Sequence, residues 1–245
     1  MAFKDGDFLE IEYNAWNAVD NSLVLSTDAA RAKEAGIYND KAKYGPVLIV
    51  LGSKSTIRGL DRELRNMSVG EVKKFTFKPE DAFGERSESL VRIVPLSDFR
   101  KRDINPYPGM SVDIDNVPAV VKSVNSGRVV VDANHPYAGR ELIYEVKVVR
   151  QLSTLEDKIG GFAKTYDMAP SRIEVEGGTA RIRFGKEVNK DANYFVDKAS
   201  LIASIFTYID GIGTVEVEEE YAKPEQEKPA DKEMGPEASD NKEEG

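Results

Sequence analysis

The sequence of 245 residues has no cysteine and one histidine, His135. The first absence excludes disulfides, thiolate catalysis and cysteine-ligated metal. The second excludes a multi-histidine metal site and leaves only His135 for any Ser-His-Asp arrangement. Long apolar runs are missing too. The longest, such as Val47-Leu48-Ile49-Val50-Leu51, fall far short of a membrane span, and Met1-Ala2-Phe3-Lys4-Asp5-Gly6-Asp7 is too polar for a signal segment. The expectation is a cytoplasmic chain with no membrane partner. Nor is there an excess of positive charge. The net charge is −9, but 12 acidic and 4 basic residues lie in 216–245, which leaves 31 acidic against 30 basic upstream. A nearly neutral body gives no electrostatic basis for binding nucleic acid. Glu218-Glu219-Glu220 fits no EF-hand loop, and Gly59, Gly70 and Gly84 form no phosphate-binding glycine run. No cofactor and no metal are expected.

What is present suits two or three small domains. Residues 7–13 alternate, with Phe8, Leu9, Ile11 and Tyr13 among Asp7, Glu10 and Glu12, which predicts a half-buried strand. Asn21-Ser22 reads as a hairpin turn before Leu23-Val24-Leu25, and Thr27-Asp28 as the cap of a short helix ended by Gly36. Tyr38 to Gly45 completes a connection long enough to be a functional flap. Pro46 to Leu51 reads as a buried strand, Asp61 to Leu64 as a short helix and 72–77 as another strand. In the next stretch Val91, Ile93, Val94 and Leu96 suggest one strand, and Met110, Val112 and Ile114 a second. A turn at Asn116-Val117-Pro118 and a hairpin at Ser126-Gly127 separate further strands at 119–124 and 128–131. Residues 142–149 alternate again. Beyond Gln151, Ser153-Thr154-Leu155-Glu156 opens a helix, and Gly177-Gly178 joins two strands. Phe195, Ala199, Ile202, Phe206 and Ile209 recur at helical spacing from Asp191, a stripe expected to serve chiefly as intramolecular core. Thr214 to Val217 is a last strand. From about Tyr221, Pro, Glu and Lys dominate, which predicts a disordered acidic tail over 221–245.

The densest signal lies between Gly52 and Gly84. Ile57-Arg58-Gly59-Leu60-Asp61 is followed by Met67-Ser68-Val69-Gly70-Glu71 and then by Phe75-Thr76-Phe77-Lys78-Pro79-Glu80-Asp81-Ala82-Phe83-Gly84. This order resembles the core of FKBP-type peptidyl-prolyl cis-trans isomerases. It resumes at Asp132-Ala133-Asn134-His135-Pro136-Tyr137-Ala138-Gly139-Arg140-Glu141-Leu142 after about fifty foreign residues. An interruption there is similar to the SlyD-like branch, in which a second small domain sits inside the first, and the remainder resembles the longer archaeal members. The resemblance covers residues 7–150. It implies an α+β fold: an FKBP-like antiparallel sheet with a short helix (1–86 plus 135–152), an inserted small β domain (87–134), and a C-terminal α+β domain (153–220).

The resemblance also assigns a substrate cleft to Tyr13, Val24, Leu25, Val47, Thr56, Ile57, Leu60, Phe83 and Tyr144. It implies that Leu60 floors the pocket where Trp is frequent, and that the Ile57 N–H donates to a substrate carbonyl. Tyr13, Phe83 and Tyr144 would wall the proline ring. Each residue alone fits ordinary core, Val47, Leu60 and Tyr144 above all; their joint placement favours the cleft. Phe83 stands where many relatives carry a ligand-binding Tyr, and Leu25 where the family usually has Asp. Asp20 and Asp28 do not align with that acid, so reduced turnover is expected.

In the insert, Val91, Ile93, Val94, Leu96, Val120, Val121, Val129, Val130 and Val131 are the candidates for holding apolar client segments, although much of this surface must form the insert's own core. The implied partners are unfolded or partly folded polypeptides with Xaa-Pro bonds, with a homodimer through 153–220 as a further option. The implied function is prolyl isomerisation coupled to chaperone binding. The alternative is a holdase that kept the fold and lost most catalysis through Leu25. His135 is expected to make a structural hydrogen bond, and the tail carries no histidine for metal storage.

Overall fold

The computed structural model of the protein describes residues 2–186 and 191–221. The expected acidic tail lies, apart from Tyr221, outside the described residues. The fold is α+β, with mostly antiparallel sheets and few short helices.

The chain opens with β1 (Phe8–Asn17), β2 (Leu23–Ser26), α1 (Ala29–Glu34), β3 (Val47–Val50), α2 (Arg58–Leu64) and β4 (Val72–Phe77). Asn21 takes φ 54° in the β1–β2 turn, a conformation that Asn tolerates better than most residues. Asp28 caps α1 by accepting from the N–H groups of Ala30 and Arg31. Strand β1 pairs with β3 through residues 8–11 and with β2 through residues 14–16, so both lie along one edge of it. Short α2 begins three residues earlier than expected and buries Gly59, Leu60 and Leu64.

Between Gly84 and Asn134 the chain builds a separate four-stranded sheet. It consists of β5 (Val91–Pro95), α3 (Leu96–Arg100), β6 (Ser111–Ile114), β7 (Val117–Asn125) and β8 (Arg128–Asp132), in the order β5-β8-β7-β6. Phe99, Val112, Ala119, Val121, Val129 and Val131 form its own core. Two expectations shift here. Leu96 opens a helix rather than extending a strand, because α3 delivers Phe99 into that core. The turn after β6 is Asp115-Asn116, at φ 55° and 62°, and Val117-Pro118 already belongs to β7. Ser126-Gly127, at φ 47° and 79°, makes the anticipated two-residue hairpin.

The chain then returns as β9 (Leu142–Leu152), which enters the first sheet between β1 and β4. Its alternate residues Leu142, Tyr144, Val146 and Val148 are buried, and Tyr144 lies level with Ala15 on one side and Phe75 on the other. This face and α2 enclose a core containing Leu9, Ile11, Leu60, Leu64 and Phe77.

The last unit contains α4 (Leu155–Thr165), β10 (Arg172–Glu176), β11 (Thr179–Phe184), α5 (Ala192–Tyr208) and β12 (Thr214–Glu219). Thr154 caps α4, and the Gly177-Gly178 turn joins β10 to β11. Strand β12 pairs parallel to β11, with α5 as the crossover. The core of this unit takes in Phe8, Val50 and Leu152 from the first sheet. Gly161 makes the junction close, since a Cβ there would lie 2.8 Å from Leu152. The α5 stripe needs correction. Ile209, the cap residue at its end, is core as expected, but the buried residues within α5 are Tyr194, Leu201, Ser204 and Ile205, whereas Phe195 (48% exposed) and Phe206 (51%) face outward. The helix is apolar over an arc wider than one contact, and the Tyr166 hydroxyl bonded to Ser204 Oγ at 2.7 Å fixes which side is inside. Among the described residues no helix is long and apolar enough to cross a membrane.

Candidate functional site

Strands β1, β2 and β9, the start of α2 and the loop after β4 meet around a cleft of about 450 Å³, lined by Tyr13, Leu25, Thr56, Ile57, Phe83 and Tyr144, with Lys54 and Arg58 at its margin. Six of the nine cleft residues named from sequence thus line one cavity. The other three support it. Leu60 is buried, and Val24 and Val47 pack half-buried against the same core. The Tyr38–Gly45 connection is no flap over this cleft. Lys43 bonds to the Thr165 carbonyl and to Asp167 at the end of α4, so the connection is drawn to the other side of the sheet.

Each wall has a mechanical reason for its place. Thr27 Oγ1 accepts from the Tyr13 N–H at 2.9 Å and donates to the Tyr13 carbonyl at 3.1 Å. Phe83 follows a 3₁₀ turn, Pro79–Asp81, that is fastened to α2 because Arg58 and Arg62 both bond to Asp81. Hydrogen bonds from Arg62, then from Arg58, hold that carboxyl below its usual range. The Ile57 N–H has no hydrogen-bond partner among the described residues, because Ile57 precedes the first helical turn, where N–H groups are not matched internally.

Two cleft-side residues escaped the sequence reading of the wall. The His135 imidazole stacks on the Phe83 ring, centroids 4.2 Å apart and planes 3° from parallel, and its Nδ1 accepts from the Tyr137 N–H at 3.2 Å. Tyr137 lies 5.5 Å from Phe83, and its hydroxyl donates to the Val24 carbonyl at 2.8 Å. His135 is thus a structural group, as expected, and specifically the backing of Phe83. The signal for Tyr137 was an aromatic two residues after the histidine, at the return of the chain.

The only charged side chains that line the cleft among the described residues are the two cations at its margin, Lys54 and Arg58. Burial, then the neighbouring Tyr137, raises the Tyr13 phenol above its ordinary pKa; burial, then Tyr13 and Tyr137, raises Tyr144 further. Among the described residues the lining holds no carboxylate, imidazole or thiol. Asp28 is engaged in capping α1, and Asp20 accepts from Ser22 in the β1–β2 turn, so neither replaces an acid at Leu25. Ser55 Oγ is engaged with the Val50 carbonyl. Such a site lacks a paired nucleophile and base; it suits an apolar ring with flanking carbonyls. Among the described residues no three His, Cys, Asp or Glu side chains converge as a metal-binding set.

The four-stranded sheet joins this region through a short neck. Asn134 Oδ1 accepts from the Ser87 N–H at 2.8 Å, and its Nδ2 donates to the Ser87 carbonyl at 2.9 Å. Buried Asp132 binds Asn134 and Arg86. Burial alone would raise its pKa, but the bonds from Asn134 and Arg86 prevail and hold it at about 2. Of the insert residues named from sequence, Val121, Val129 and Val131 are core and cannot meet a client, because the sheet needs them to close its single apolar face. Val94 and Leu96 pack partly against that core. Val91, Val120 and Val130 are partly exposed, and Ile93 is 65% exposed and lies opposite Val130 across β5 and β8.

Comparison with known proteins gives several relatives. A family model described as "FKBP26, IF domain" matches residues 92–137. The chain is 32% identical over 145 residues to the short-type peptidyl-prolyl cis-trans isomerase of Methanocaldococcus jannaschii, covering 59% of this chain and 91% of that protein. It is 32% identical over 163 residues to the FKBP-type peptidyl-prolyl cis-trans isomerase SlyD of Pasteurella multocida, covering 64% and 76% respectively. It is 30% identical over 134 residues to a probable FKBP-type 16 kDa isomerase of Pseudomonas fluorescens, covering 53% and 88%.

Proposed function

The chain belongs to the family of FKBP-type peptidyl-prolyl cis-trans isomerases, and on that premise we propose that it accelerates Xaa-Pro isomerisation in folding polypeptides while a second surface holds unfolded segments. The observation that carries this reading is the convergence of Tyr13, Leu25, Thr56, Ile57, Phe83 and Tyr144, from segments far apart in sequence, on one cleft with aromatic and aliphatic walls.

The chemistry asks for little more than that cleft. Rotation about the imide bond faces a barrier of roughly 18–20 kcal/mol from amide resonance, and uncatalysed exchange takes tens to hundreds of seconds. The twisted amide has less charge separation than the planar one. An apolar hollow therefore costs the planar form more hydration than it costs the twisted form. Tyr13, Phe83 and Tyr144 wall the ring, Leu25 and Thr56 line its approach, and Val24, Val47 and Leu60 hold the walls from behind. The Ile57 N–H fixes a carbonyl of the substrate.

We divide the chain, as proposals, into the isomerase domain (1–86 plus 135–152), the inserted domain (87–134) and a C-terminal domain (153–220), in a cytoplasmic protein. Ile93 and Val130, with Val91 and Val120 on the same side of the sheet, form the client-binding face of the inserted domain, whereas Val94 and Leu96, named with them from the sequence, are turned toward its core. The open edges of β5 and β6 could each accept an extended client segment as an added strand. The exposed α5 face of Phe195, Val196, Ala199, Ile202 and Phe206 is an apolar patch of the kind that marks contacts between chains. Its proposed occupant is a second copy of this chain. The full-length protein should sediment as a dimer and Phe206→Glu as a monomer; a wild type that stays monomeric at all concentrations rejects the dimer.

A second reading, a holdase with little turnover, is favoured by Leu25 in the cleft. One experiment separates the two: refolding of a protein limited by a trans-to-cis proline step. Acceleration by the wild type is expected, and none would leave the holdase. In the same assay Leu25→Asp should raise kcat/KM severalfold at some expense in stability, because it places a carboxylate against apolar walls. An unchanged or lower kcat/KM would reject the idea that the missing acid limits catalysis.

A further inference from the structure

The cleft holds a polar group that the packing of the fold does not use. Tyr144 is only 3% exposed, yet its hydroxyl has no hydrogen-bond partner among the described residues. Every side-chain nitrogen or oxygen there that is sealed from solvent does have one. The Tyr144 oxygen therefore keeps a small opening, and the space that this residue lines is the cleft. Its ring is held on two sides, 5.6 Å from Tyr13 and 5.6 Å from Phe77, so the hydroxyl has little freedom to look elsewhere. The neighbouring Tyr137 hydroxyl is already spent on the Val24 carbonyl. A phenylalanine would fill the same volume without this loose end. A buried phenol normally finds a partner, and the fold supplies none to this one among the described residues.

A bound peptide brings the complementary need. Its carbonyl oxygens lose water on entering the cleft and require donors. The Ile57 N–H serves one from the start of α2, and Phe83 has no hydroxyl to serve another. We propose that the Tyr144 hydroxyl is a substrate-binding group that donates a hydrogen bond to a carbonyl oxygen of the bound Xaa-Pro segment from the sheet side of the cleft. This rests on the isomerase reading and adds a residue to it: Tyr144 acts through its oxygen as well as through its ring. Buried as it is, the phenol stays protonated, and hence a donor, throughout the neutral range.

The test is Tyr144→Phe in the full chain, assayed on a short proline peptide and by thermal unfolding. A drop in kcat/KM of about tenfold is expected, the worth of one hydrogen bond, with a melting temperature equal to or above that of the wild type. Unchanged kcat/KM beside an active wild type overturns the inference alone. A lower melting temperature that accompanies the lost activity assigns the hydroxyl to the fold and also overturns it. A wild type without isomerase activity overturns the isomerase reading and this inference with it. Should the variant not fold, wild-type protein carrying ¹³C at the tyrosine ζ position gives the answer. The Tyr144 signal should shift on saturation with the peptide, and a fixed signal rejects the contact.

Discussion

A chain lacking residues 87–134, bridged from Arg86 to His135, is expected to lose suppression of aggregation altogether and to isomerise short proline peptides as the full chain does. The structure makes this cut clean. The removed sheet has its own core, and Ser87 and Asn134 are hydrogen-bonded to each other, so a short linker spans the gap. Gly139 still donates to the Gly84 carbonyl at 2.8 Å, and His135 still backs Phe83. On the proposed reading, what disappears is the tether between two weak sites. Because such tethering raises apparent affinity by roughly 10²–10⁴, acceleration of protein refolding should fall about a hundredfold or more while peptide turnover holds. Aggregation suppression that survives the deletion would assign the chaperone surface elsewhere, with the α5 face the next candidate.

Gly59→Ala should damage the other half. A Cβ at Gly59 would lie 2.5 Å and 2.9 Å from ring carbons of Phe77 and 3.0 Å from the Asp81 carbonyl. Phe77 cannot retreat, since its ring is buried against Phe75 and Tyr144. The helix α2 must move instead, which carries Ile57 and Leu60 with it and stretches the Arg58 and Arg62 bonds to Asp81. Overpacking of this kind costs about 1–3 kcal/mol, and a displacement near 1 Å at a substrate-binding group can cost about a hundredfold in rate. Chemical denaturation and peptide turnover measure both. A variant as stable and as active as the wild type would show that α2 and the loop before Phe83 are not pressed together as described.

How much of this was legible beforehand depended on how local the cause was. Turns announced themselves because Asn21, Ser126-Gly127 and Gly177-Gly178 carry their backbone preference with them. The caps at Asp28 and Thr154 were readable for the same reason. Tyr13, Ile57, Phe83 and Tyr144 could be assembled only because short motifs, each weak, resembled one family in one order. The misses have causes distant in sequence. Leu96 reads as strand until Phe99 is seen to be needed in the core. The inner side of α5 cannot be chosen from a helix with two apolar sides, because Tyr166, which selects Ser204, lies 38 residues away. His135 and Tyr137 reach the cleft only because the chain returns beside Phe83. The bonds of the neck could not be read at all, since Arg86 and Asp132, 46 positions apart, are ordinary charged residues until the chain between them is folded.

The place of β9 has one more consequence, for the order in which the protein is made. Strand β4 pairs with β9 and with no other strand among the described residues, and β9 is also the longest partner of β1. A ribosome therefore releases β4 some seventy residues before the strand that can hold it. The intervening sheet is complete in sequence by Asp132 and can collapse on its own contacts, whereas the long-range pairing must wait. On a nascent chain the inserted sheet is thus finished before the sheet that walls the cleft, and, if the insert holds clients as proposed, the first unpaired strand within its reach is the protein's own.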